Sequence, residues 1–165
     1  MASKKGIAIT IIILGAITGA SFLFWMIPHE TPMSFVISDY ENYLDGIKER
    51  HSILDDSIAT EFQNLKEGTI TPDEYLQISD VVSSQITGQI SEFVTSKPPT
   101  EWQESYISYM ESLKNFNSYV TETKVYANLV KEGNSNKLDA TLEKIQNLKS
   151  ESDRLAQVSD HSRPN

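Results

Sequence analysis

Three histidines, at positions 29, 51 and 161, carry most of the metal and acid–base chemistry open to this chain. It has no cysteine, hence no thiol nucleophile, thiolate ligand or disulfide framework. No histidine lies in a His-x-x-x-His or Glu-x-x-His pattern. A zincin site or the carboxylate-bridged site of ferritin-like bundles therefore lacks its ligands. His51 and Asp55 are one helical turn apart and could share a cation. The plainer expectation is a bundle histidine, half buried and hydrogen-bonded by a neighbour. Three acidic clusters, Asp55 with Asp56, Asp73 with Glu74, and Glu101 with Glu104, offer paired carboxylates, but acid–base work needs a cleft that separates their pKa values. At helix starts such acids complement the macrodipole instead. No serine sits in a Gly-x-Ser-x-Gly elbow, and no glycine-rich loop could cradle phosphate. The expectation is a chain without catalytic residues, metal ligands or cofactor, and so not an enzyme.

Those residues must be positioned by the 165-residue chain as a whole, which carries a formal charge of −9. Lys4 and Lys5 precede an apolar run, and the other 12 basic and all 23 acidic residues follow it, so that part carries about −11. Such a surface repels phosphate backbones, which excludes nucleic acid as a partner. Residues 6–28 contain no charge. As a helix they would extend roughly 33 Å, enough for a bilayer core of about 30 Å. A signal peptide is the rival, since the apolar residues 7–14 are followed by Gly15, Ala16, Gly19, Ala20 and Ser21. Cleavage after Ala20, however, would leave Ser-Phe-Leu-Phe-Trp-Met-Ile as a bare apolar N-terminus. A retained transmembrane helix places Phe24 and Trp25 at an interface that favours aromatic rings. The lysines put the N-terminus in the cytoplasm by the positive-inside rule. Residues 1–5 then form a short cytoplasmic tail and everything from His29 onward is extracytoplasmic. Gly15 and Gly19, with Ala16 and Ala20 beside them, form a small-residue face suited to association of transmembrane helices.

The opening Lys-Lys-Gly-Ile-Ala-Ile-Thr, the apolar run and the following Ser-Phe-Leu-Phe-Trp-Met-Ile-Pro resemble the start of small single-span exported proteins of ammonia-oxidising archaea. The likeness is confined to the N-terminal stretch that ends near Pro28 and holds no catalytic motif. It implies an archaeal exported membrane protein and carries over no functional residue.

Pro28 and Pro32 make 29–36 a joint. Beyond it the spacing predicts an all-α unit over 37–158, an antiparallel four-helix bundle, with a polar, frayed tail over 159–165. The first helix follows Tyr40, Leu44, Ile47, His51, Leu54, Ile58, Phe62 and Leu65 in steps of three and four, and Gly68 ends it. Thr71-Pro72-Asp73-Glu74 starts the second with a capping box and proline at the first helical position. Its stripe runs from Tyr75 to Phe93, and Gly88 within it suggests a close helix contact. The third begins with a second box, Thr100 and Gln103, and closes at Gly133. The fourth follows Gly-Asn-Ser-Asn and carries Leu138, Leu142, Ile145, Leu155 and Val158. Leu-Lys-Glu-Gly, ending at Gly68, closes the first helix, and Val-Lys-Glu-Gly, ending at Gly133, closes the third. That reads either as a duplicated hairpin or as shared stop chemistry.

Tyr119 and Tyr126 widen the aromatic face of the third helix beyond one seam. They are the candidate partner face; the alternative is that this helix packs between two neighbours. The functional expectation is a non-catalytic, membrane-anchored accessory or scaffolding subunit. It would lie in the bilayer through 6–28 and bind a membrane protein or further copies of itself. A sensor-like bundle that binds a ligand and acts through a partner is the second reading.

Overall fold

The computed structural model describes residues 39–164, and the 1–5 tail, the 6–28 span with its Gly15, Ala16, Gly19 and Ala20 face, and the 29–36 joint lie outside them. Among the described residues there are four long helices and no strand: α1 (Tyr40–Glu67), α2 (Pro72–Ser96), α3 (Thr100–Lys131) and α4 (Leu138–His161), with a 3-10 turn, Ser135–Lys137, before α4. None is long and apolar enough to cross a membrane.

The helix ends follow from local chemistry. Asp39 caps α1 by accepting from the Asn42 amide, and Gly68 leaves it at φ 72°, a left-handed turn that glycine adopts without a Cβ clash. Thr71 and Glu74 form the expected capping box of α2, with Pro72 at its first turn. The second expected box does not form. Pro99 is the N-cap of α3 and no side chain caps it, so Thr100 already lies inside the helix. Pro99 fixes its own backbone angle and starts the helix one residue early.

Consecutive helices run antiparallel. Phe62 meets Tyr75 and Phe93 meets Tyr106, while Ser105 bonds to Ser159 and Ser112 to Ser152. The helices are not equivalent. α3 contributes thirteen buried residues, α4 only four. α3 packs on all three others, whereas no Cα of α1 lies within 8 Å of one in α4. α3 is thus the axis of the bundle. Its side chains Leu113, Phe116 and Val120 form the centre of the core with Leu44, Ile47, Ile58 and Ile86.

Two expectations about packing are corrected. The described part of the 159–165 segment, residues 159–164, is not a frayed tail: α4 continues to His161, Ser159 is fully buried and Arg163 pairs with Asp45 at 2.5 Å. Nor does Gly88 mark a close contact within the chain, because a methyl group built on it would meet nothing within 4 Å.

Candidate functional site

His51 is the titratable side chain most deeply placed on α1, at 8 % exposure. The α1 stripe turns it inward onto α3, where its Nδ1 lies 2.8 Å from the Tyr109 hydroxyl and its ring meets Phe116 edge-on at 4.5 Å. Burial lowers its pKa to about 4, and the Lys149 charge pushes the same way against the weaker pull of Asp153. The imidazole is therefore neutral near pH 7. Burial also raises the Tyr109 hydroxyl well above its ordinary range. A neutral Tyr–His pair of this kind is a hydrogen bond between helices, and it fulfils the expectation of a bundle histidine bonded by a neighbour, buried more fully than expected.

Asp55, one turn on, faces α4 rather than sharing a cation with His51. Its Oδ2 lies 3.0 Å from Lys149 Nζ, which also reaches Asp153 at 2.5 Å. Burial raises the Asp55 pKa against the opposing Lys149 bond. Burial alone would depress Lys149, but its bonds to Asp153 and Asp55 outweigh it and hold the ammonium above its usual pKa. No cluster of three or more His, Cys, Asp or Glu able to hold a metal occurs among the described residues. The cationic partner of Asp55 is Lys149 itself.

The α1–α4 seam is bridged by long side chains: Asp55 to Lys149, Lys48 to Asp160, and Arg163 to Asp45. Two buried polar atoms here, Asp55 Oδ1 and Arg163 Nε, have no hydrogen-bond partner within the chain, and neither has His51 Nε2 on the α1–α3 side. An unpaired buried group costs about 1–3 kcal/mol. On the α4 side of the seam an open cleft of about 520 Å³ is lined by Tyr119, Ile145, Lys149, Asp153, Arg154 and neighbours.

Tyr119 and Tyr126 do not form a free aromatic strip. Their exposures are 5 % and 8 %. Tyr119 packs on Phe116, and Tyr126 meets Phe62 of α1 at 5.1 Å. Burial pushes the Tyr119 hydroxyl up to about 12. A helix that serves as the axis needs apolar area on several sides, which accounts for the width of its aromatic face.

The Asp73–Glu74 cluster is structural as well. Glu74 accepts from the Thr71 amide at 2.8 Å, and Asp73 pairs with Lys131 at 2.6 Å across α2 and α3. Asp56 is exposed, as are Glu101 and Glu104.

Two features of the structure were not anticipated. Ser105 and Ser112 each donate to a carbonyl of α4, of Ser159 and Ser152 respectively, both at 2.8 Å, and Ser152 donates back to the Ser112 carbonyl at 2.9 Å. These small residues let two helices approach closely while each hydroxyl finds a partner. The signal was the interval of seven that joins Ser105, Ser112, Tyr119 and Tyr126. The second feature is a groove between α1 and α2 of about 370 Å³, lined by Arg50, Ile53, Leu54, Gln85, Gly88, Gln89 and Glu92. Gln89 is 5 % exposed and its Oε1 has no partner. Ile53, on the other rim, is 62 % exposed. Gly88 costs α2 about 1 kcal/mol relative to alanine, and the bundle gains no close approach in return.

Compared with protein-family models, with curated proteins and with solved structures, the chain matches none.

Proposed function

We propose that this chain is a non-catalytic, single-span membrane protein whose four-helix bundle stands outside the cytoplasm as an accessory or scaffolding subunit of a larger membrane complex. The observation that carries the reading is a juxtaposition in the sequence: an uncharged 6–28 run, flanked directly by lysines at its N-terminal end only, leads into a strongly acidic helical unit. The bundle supports it through the use made of its titratable groups. His51 is bonded to Tyr109, Lys149 is held by two carboxylates, and Glu74 caps a helix. His51 and Lys149 each hold one helix to another, and Glu74 closes the start of its own helix. The archaeal likeness of the N-terminal stretch fits the same reading.

A ligand-binding bundle is the second reading, and the cleft over Tyr119 favours it, since Lys149, Arg154 and Gln146 line it. The wide mouth of that cleft on the α4 surface and the engagement of Lys149 with two carboxylates weigh against it.

The native protein, purified in mild detergent, tests the proposal. Its intact mass should include the Phe-Leu-Phe-Trp-Met-Ile stretch at 22–27, and protease added outside intact cells should remove the bundle. It should migrate with a stoichiometric partner. A mature chain that begins at Ser21, or a chain that runs alone in every mild detergent tried, would sink the reading.

A further inference from the structure

We infer that the α1–α2 groove is a homotypic interface, in which a second copy of this chain seats its own α1–α2 face by twofold symmetry. Three independent features meet there. Gly88 is an exposed mid-helix glycine whose absent side chain serves nothing within the chain, and small residues in a helix face let another helix backbone come close. Gln89, 5 % exposed, lines the groove while its Oε1 is buried and unpaired, so turning its amide outward onto an occupant would satisfy it. The third feature is charge. From position 81 to 91 α2 has no charged residue in a chain of net charge −9, which makes this one stretch where two like-charged copies can meet without strong repulsion.

The occupant is a second copy because the patch holds both halves of every pair it needs. A twofold contact is self-complementary by necessity. Ile53 on one rim is an apolar side chain at 62 % exposure, and the open space over Gly88 would receive its copy across the axis. The Gln85 amide, exposed beside the groove, both donates and accepts, as does Gln89. Arg50 and Glu92, paired across the groove at 2.6 Å and both about half exposed, can exchange partners across the axis without changing net charge.

The chain has no native cysteine, so single-cysteine cross-linking on the full-length protein in detergent reads this contact directly. Ser84→Cys, on the exposed face of α2, should form disulfide-linked dimers under copper–phenanthroline. Ser118→Cys, exposed on α3, should not. Adding Gly88→Glu to the Ser84→Cys chain should lower the dimer fraction about tenfold while the helical melting curve keeps its cooperativity. Gly88→Ala, whose methyl group meets nothing in the bundle, should weaken it less and guards against misfolding as the cause. Equal cross-linking at both cysteines would mean that anchor association or collision brings the chains together, and would overturn the inference. So would cross-linking at Ser84→Cys that ignores Gly88→Glu, or none at all, as expected if a different protein fills the groove.

Discussion

In the α3–α4 hairpin, serine hydroxyls at Ser105, Ser112 and Ser152 reach carbonyls on the facing helix and close the seam. In the α1–α2 hairpin, the helices meet through rings at Phe62 and Tyr75 and diverge at mid-length over Gly88, where one buried amide goes unpaired. Both hairpins leave their first helix through a glycine at positive φ, Gly68 and Gly133. His51 and Phe116, which a duplicated hairpin would make equivalent, even meet ring to ring. The ends are alike and the seams are not. Stop chemistry is set by one or two residues. Seam chemistry depends on what is repeated along the whole face, and here one face repeats small hydroxyl residues while the other does not. The closed hairpin gives the bundle its axis, and the open one is left with surface to offer.

The sharpest way to break this contrast is to attack the seam-facing heptad of α3. Changing Tyr119 and Tyr126 together to serine should destabilise the protein by roughly 3 kcal/mol or more, since each buries most of an aromatic ring. Thermal and denaturant melts measure it. A double variant that melts like the parent would mean that α3 does not serve as the axis and that its aromatic face is available to a partner.

Helix existence, helix order and most ends were legible in the sequence because they rest on local signals. Gly68 and the Thr71–Glu74 box are decided within a single turn of chain. The Thr100 box failed because Pro99, already restricted in φ, takes the cap position first. The tyrosine face admits two readings in the sequence, a partner strip or packing between neighbours, and the structure shows the second. On a peripheral helix two faces of aromatics would leave one outside, but α3 touches three helices, and its number of neighbours is a tertiary fact. The serines were passed over because hydroxyl residues ordinarily mark surface; their burial becomes visible only when the facing helix supplies carbonyls. The groove at Gly88 had a signal, the glycine itself, and the sign of its meaning was reversed: the helix is open there rather than close.

A second test separates α1 from the axis by pH. His51 has a folded pKa of about 4 against an ordinary 6.5, so the folded state resists a proton that the unfolded state takes up. Its contribution is complete above about pH 6.5 and is lost as pH falls through that value to about 4, to a total of about 3 kcal/mol. Asp55, whose pKa burial raises, acts with the opposite sign and returns part of this as it protonates. Chemical denaturation across that window should show the fall, and His51→Asn, which keeps a polar atom facing Tyr109, should flatten it. An unchanged slope would mean that water reaches the imidazole and that the α1 seam is wetter than its burial implies.

The smallest effect is expected where α1 and α4 meet only through long side chains. Arg163 reaches Asp45 at 2.5 Å and Asp160 at 3.1 Å, and both carboxylates are more than half exposed. Such pairs contribute about 0–1 kcal/mol and weaken as salt rises. Removing Arg163 also relieves its unpaired Nε, which offsets part of the loss. Asp45→Asn with Arg163→Gln should therefore lower stability by about 0.5 kcal/mol, the middle of the range for exposed pairs. The difference from the parent should shrink at high salt. The tyrosine and ion-pair variants, melted side by side, give the contrast its scale. If the charge variant costs as much as the loss of two buried rings, then α1 is held to the bundle by its ion pairs, and α3 packing alone does not fix it. A loss that persists in high salt would point to packing of the Arg163 stem as the cause, because screening leaves such contacts untouched.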